Sequence, residues 1–160
     1  MLIEEGPSVP NFEAFAALRD CLKTIPATNI RMDKLLLIDR DRETLAEAVN
    51  PACGTVGCIA GWGACFFGSP EQVLVKIADA PIGSVLNFSS RGGKHWEPTE
   101  ITREALGLNY ADSSYVFYAA WAVPGNDSHT SLSTIRHITG EQVIQYLDKV
   151  IAEQNVRVTI

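Results

Sequence analysis

Cys53-Gly54-Thr55-Val56-Gly57-Cys58-Ile59-Ala60-Gly61-Trp62-Gly63-Ala64-Cys65-Phe66-Phe67-Gly68 gathers glycine, cysteine and large apolar side chains without a single charge. The spacing predicts a buried helix that starts near Thr55 and ends at Gly68. Gly57, Gly61, Ala64 and Gly68 follow one another at steps of four, three and four, which places them on one helical face, and Val56, Ile59, Trp62 and Phe66 supply bulk beside it. A glycine inside a helix costs about 1 kcal/mol relative to alanine, so the bare face calls for a reason. Either a second helix or a ligand comes close to the backbone there.

An apolar helix of this kind has to be wrapped by others. The fold expected is therefore mainly α, a single-domain bundle of about six helices around a central Gly/Cys-rich buried helix, with any strand short and peripheral. The chain has 160 residues, enough for one substantial core over 1–160, and positions 1–10 and 155–160 are the candidate flexible ends. Hydrophobic residues make up 46% and charged residues 20%, which excludes a disordered or collagen-like chain. The uncharged run around Ile59 is broken by five glycines and reads as core, so no membrane partner is expected.

The flanking segments carry ordinary helix signals. Asn11 is placed to cap a helix from Phe12 to about Thr24, with Phe12, Phe15, Leu18, Leu22 and Ile25 inward and Pro26 behind it. Leu35-Leu36-Leu37-Ile38 is too short to assign between a buried helical turn and a strand. Thr44 to Val49 suits a short exposed helix after the charge cluster Asp39-Arg40-Asp41-Arg42-Glu43, and Ser69-Pro70-Glu71-Gln72 is a capping box for another helix that ends at Ala80-Pro81.

Thr99 is expected to cap a helix through Leu106 that Gly107 stops, and Leu108-Asn109-Tyr110 to begin one with Val116, Phe117, Ala120 and Trp121 inward. Thr139-Gly140-Glu141-Gln142 is a second capping box, opening an amphipathic helix with Val143, Ile144, Leu147, Val150 and Ile151 on one side. The tail Val156-Arg157-Val158-Thr159-Ile160 alternates like a strand. A free tail, an edge strand and an oligomer contact all suit it.

Three kinds of chemistry compete for the central stretch. Cys53, Cys58, Cys65 and His95 are enough ligands for zinc, but the spacing is not that of a zinc knuckle and no second pair follows, so neither a metal nor a cofactor is assigned. Cys53 before a helix start, with His95, His129 or His137 as base, would make a thiol enzyme; nothing in the sequence fixes such a pair, and no catalytic residue is assigned. Gly54, Thr55 and Gly57 at a helix start can leave N–H groups open to a phosphate or carboxylate. The Lys-Ser/Thr pair of a nucleotide-hydrolysing loop is absent.

The irregular segment from Ile82 to Pro98 complements the third reading. Arg91, Lys94, His95 and Trp96 surround Gly92-Gly93 and offer charge and a stacking surface for a nucleotide-like ligand. A net charge of −6 argues against a nucleic-acid partner. The acidic start Met1-Leu2-Ile3-Glu4-Glu5 lacks the features of a signal peptide, so a cytoplasmic location with reduced thiols is expected.

Cys53-Gly54-Thr55-Val56-Gly57-Cys58-Ile59-Ala60-Gly61-Trp62 resembles the CGTxxCIAGW signature of a family of small uncharacterised proteins from bacteriophages and bacterial genomes. Met32-Asp33, Leu106-Gly107-Leu108 with Phe117, Trp121 and Pro124, and Ile138-Thr139 fit in order, so the resemblance spans about residues 11 to 147. The family brings no established activity or catalytic residue. The resemblance implies a phage-type protein acting in the host cytoplasm, and small phage proteins of no obvious enzymatic type often act on the host, sequestration of nucleotide-derived immune signals being one way. The expectation is a non-enzymatic binder of a small anionic ligand, with Gly54, Thr55, Gly57, Arg91, Lys94, His95 and Trp96 as its site. The alternatives are a module that inhibits a host protein and a cysteine-dependent enzyme, and a homo-oligomer is compatible with each.

Overall fold

The computed structural model describes residues 6–33, 36–39, 56–68, 85–88, 98–125 and 131–160. Six α-helices stand among them: α1 (Phe12–Lys23), α2 (Ile59–Phe67), α3 (Pro98–Leu106), α4 (Tyr110–Phe117), α5 (Leu132–Ile135) and α6 (Gly140–Glu153). Three short strands, β1 (Leu36–Asp39), β2 (Val56–Gly57) and β3 (Val85–Phe88), form an antiparallel sheet in the order β2-β1-β3. Leu36 pairs with Gly57 on one side and with Phe88 on the other. The fold is thus mainly α with a small sheet, and the Leu35–Ile38 ambiguity resolves to a strand from Leu36 onward. The helices expected over 44–49 and 71–80 lie outside the described residues.

The caps read from sequence form as chemistry requires. Asn11 Oδ1 accepts from the Ala14 N–H at 3.1 Å and opens α1. At α6 the Thr139 hydroxyl accepts from Gln142 N at 3.2 Å while Gln142 Oε1 accepts from Thr139 N at 2.9 Å, a reciprocal box. Asn109 Oδ1 takes the Asp112 N–H at 2.8 Å and starts α4. Thr99 differs from expectation: α3 already begins at Pro98, so Thr99 lies inside its first turn.

One core joins α1, α2, α4 and α6. Phe15, Leu18 and Leu22 of α1 meet the inner side of α6, where Val143, Leu147 and Val150 are fully buried. Tyr146, beside them, stacks on Trp121 with ring centroids 4.5 Å apart and planes 7° from parallel. Both tryptophans expected in the core are there, each with its indole N–H satisfied: Trp121 Nε1 donates to Val116 O at 2.9 Å and Trp62 Nε1 to Asn29 O at 3.0 Å.

The central helix is shorter than its sequence suggests. Val56 and Gly57 are in β2, Cys58 is the N-cap residue, and Gly68 follows the last turn with extended backbone. The run Gly57, Gly61, Ala64, Gly68 therefore does not form one continuous helical face, because its two ends belong to a strand and to a helix exit. Close approach occurs at Gly63 instead. A Cβ there would stand 2.5 Å from both Cγ2 and Oγ1 of Thr102, and the Thr102 hydroxyl donates to Ala60 O at 2.7 Å. Small residues let α3 lie close on α2, and this pair makes the most extensive helix contact among the described residues.

The two ends of the chain are tied to the helices. Val9 N donates to Gly107 O at 3.0 Å and Asn11 N to Leu106 O at 2.9 Å, against a backbone turn that Gly107 makes at φ 70°. A Cβ on Gly107 would collide with the Val9 carbonyl as well as strain the turn. The tail, expected among the flexible ends, is a strap held against α4 and α6. Val156 and Val158 are buried, and Tyr146 and Tyr115 donate their hydroxyls to the carbonyls of those two residues at 2.7 and 2.9 Å. Ile160 N reaches Trp121 O at 3.2 Å.

Candidate ligand-binding groove

Of the residues expected to bind ligand, Gly57 lies in β2, backbone-paired with Leu36. Gly54, Thr55, Arg91, Lys94, His95 and Trp96 lie outside the described residues. The start of α2 is itself interior, since Cys58, Ile59, Ala60 and Gly61 are all buried.

Burial governs the thiols as well. It pushes the Cys58 thiol up, outweighing the neighbouring N–H groups of Gly61 and Ala60 that favour a thiolate. Cys65 is pushed up to about 12 by burial, with a smaller contribution from nearby Cys21. Cys58 is a core thiol rather than an activated one. Among the described residues no three His, Cys, Asp or Glu side chains come together as a metal would require.

A groove of about 140 Å³ opens between α3 and α4. From α3 it is lined by Thr99, Glu100 and Arg103, one side of the helix at steps of one and three. From α4 come Tyr110, Ser113, Ser114 and Phe117, followed by Tyr118, the residue that caps its C-terminal end. Their spacing of three, one, three and one is a single helical stripe, adjacent to the inward stripe that carries Val116. The turn Gly107-Leu108-Asn109 joins the two helices and sets them side by side, so short-range sequence order alone assembles the groove.

Arg103 is the fixed part of this site. Its guanidinium carbon lies 4.4 Å from the Tyr110 ring centroid, Nη1 donates to Leu108 O at 3.0 Å, and Nη2 donates to Glu100 Oε2 at 2.7 Å. Glu104 Oε1 is a more distant partner at 3.9 Å. The Glu100 hydrogen bond, outweighing partial burial, raises the Arg103 pKa further above its ordinary value. Nε is buried and has no hydrogen-bond partner among the described residues.

The rim is aromatic and hydroxylic. Tyr110 is 57% and Tyr118 44% exposed, two of the large apolar-bodied residues on the described surface. The Ser113 hydroxyl donates to Tyr110 O at 2.9 Å. Nothing in the sequence marks Glu100 and Arg103 as a site, because a carboxylate and a guanidinium three residues apart on a helix have the pattern of any surface ion pair. The signal that was present is the Tyr110/Ser113/Ser114/Phe117/Tyr118 stripe, which mixes rings and hydroxyls where a solvent face would carry charges. No family model matches this chain, and no curated protein or solved structure gives a significant match either.

Proposed function

We propose that this chain is a phage-type binding protein, of the small phage and bacterial family whose motif it resembles, that captures an anionic nucleotide-derived molecule without chemistry. In the host cytoplasm such capture would lower the free concentration of a signal and blunt immune signalling. The observation that carries the reading is the α3–α4 groove, a volume of about 140 Å³ lined by two exposed tyrosines and several hydroxyl-bearing residues beside the Arg103–Glu100 pair. Concave sites with a few convergent polar groups are the usual form of a small-ligand site. In sequence, Arg91, Lys94, His95 and Trp96 immediately precede the first turn of α3, whose Thr99 and Glu100 line that groove.

The test is native mass spectrometry of protein purified gently from cells, compared with the same sample after denaturation. A retained small mass that leaves on unfolding is expected. A clean apo mass, with no thermal shift in mono-, di- or cyclic nucleotides, would overturn the reading. A second reading, a module that docks on a host protein, is favoured by the exposure of Tyr110 and Tyr118 on one face of α4, since aromatic residues are enriched at protein interfaces.

A further inference from the structure

We infer that the α3–α4 groove holds the base of the captured molecule and not its phosphate, and that it selects a planar nitrogen heterocycle presenting adjacent N–H donors, of which guanine is the nucleotide member. The inference rests on the reading of the chain as a nucleotide binder and deepens it. Size supports the first part. A closed cavity of about 150 Å³ accommodates a benzene-sized ring, so a groove of about 140 Å³ with an open side can seat one flat fused ring while the sugar and phosphate stay outside it.

Charge decides the second part. Arg103 is already compensated by Glu100 Oε2 at 2.7 Å, and the Glu100 carboxylate lines the groove, where it would repel a phosphate. Among the described residues Glu100 Oε1 carries no hydrogen bond, and a carboxylate has about four lone-pair positions, so it can accept a pair of neighbouring N–H groups. The hydroxyls of Thr99, Ser114 and Tyr118, which also lie along the groove, are likewise without partners among the described residues. They supply donors for the remaining ring acceptors, while Tyr118 and Phe117 offer ring surface. Bases taken out of a stack are read in this way, by hydrogen bonds to one edge and contact with aromatic faces. Arg103 is then a positioning residue: Tyr110 and Leu108 O hold the guanidinium, and the guanidinium holds Glu100.

The experiment is a titration of the full chain with guanosine, adenosine, guanosine monophosphate and inorganic pyrophosphate, followed by backbone amide NMR. Guanosine is expected to shift the amides of Glu100, Ser113, Ser114 and Tyr118, and adenosine to bind more weakly. Glu100→Gln, which replaces an acceptor oxygen with a donor, is expected to weaken guanosine roughly tenfold, and pyrophosphate to leave the groove amides unmoved. If the nucleotide binds but guanosine leaves the groove amides unmoved, or shifts amides elsewhere, the base assignment is overturned while the binder reading stands. If none of the nucleotides binds, both fall. The wild-type titration decides the matter even if Glu100→Gln proves poorly folded.

Discussion

Two arginines of this protein sit over tyrosine rings beside an acidic partner, and the two trios do opposite things. Arg157 lies 5.0 Å from the Tyr115 ring centroid and donates from Nε to Asp112 Oδ1 at 2.8 Å. Arg103 lies 4.4 Å from the Tyr110 centroid and donates to Glu100. In the first trio the ring is 4% exposed and its hydroxyl is bonded to Val158 O, and the acid is also held by the Ser8 hydroxyl at 2.6 Å. Asp112 thereby ties the lead segment, α4 and the strap together. In the second trio the ring is 57% exposed and the acid faces a groove. The same residue types tie segments together where both Asp112 oxygens and the Tyr115 hydroxyl bond within the chain, and line a groove where Glu100 Oε1 carries no hydrogen bond among the described residues.

The largest difference should come from removing the strap. Deleting 156–160 strips two buried valines and leaves the Tyr115 and Tyr146 hydroxyls without acceptors, a loss on the order of 5 kcal/mol, enough to abolish cooperative unfolding in urea. A truncated chain as stable as the parent would mean that the strap is an ornament on the core. Next, Asp112→Ala should cost about 2 kcal/mol by chemical denaturation, since two charge-assisted or hydroxyl bonds lose their acceptor, whereas Glu100→Ala, at a half-exposed rim, should cost under about 1 kcal/mol. Equal costs would erase the distinction between the two trios.

Alkaline pH probes the closed side. Burial raises the Tyr146 hydroxyl well above 10 and the Cys65 thiol to about 12, so both stay neutral in the folded chain while they ionise in the unfolded one. Their contribution is fully present below the unfolded thiol's ordinary value of about 9 and is lost as pH rises through the folded values. The melting temperature should therefore fall above pH 9, and Cys65→Ala should flatten the first part of that fall. A melting temperature constant from pH 8 to 11 would contradict this burial. The smallest effect is at Gln154, which ends α6 in the left-handed region at φ 50° on the exposed surface. Gln154→Gly should stabilise by about 0.5 kcal/mol in thermal melts and leave guanosine binding unchanged.

Legibility followed locality. Asn11, Gly107 and Thr139-Gln142 act within a turn of their own position, so their chemistry was readable directly, as was the apolar side of α6. Tyr146 escaped that stripe because its apolar ring and polar tip suit surface and core alike; its burial follows from Trp121 against its face and Val156 O at its hydroxyl. The central helix was drawn too long because Val56-Gly57 fits a helical period as well as a strand, and only pairing with Leu36 distinguishes them. The groove was not foreseen because an ion pair of neighbouring helical residues looks the same whether it faces water or a second helix.

The sequence by itself determined that this chain is mainly helical, where the helices capped by Asn11, Asn109 and Thr139 begin, and that Trp62 and Trp121 are interior, because these depend on periodicity and short-range hydrogen bonding; the helix expected to run on to Pro124 stops at Phe117. Tertiary structure alone decided that Gly63, not the Gly57 to Gly68 series, admits a neighbouring helix, that the tail is a strap, and that Arg103 and Arg157 part company. Each depends on what residues distant in sequence bring to the same place: Thr102 lies against Gly63, where a Cβ would stand 2.5 Å from its methyl and hydroxyl, and two buried phenols meet the carbonyls of the strap.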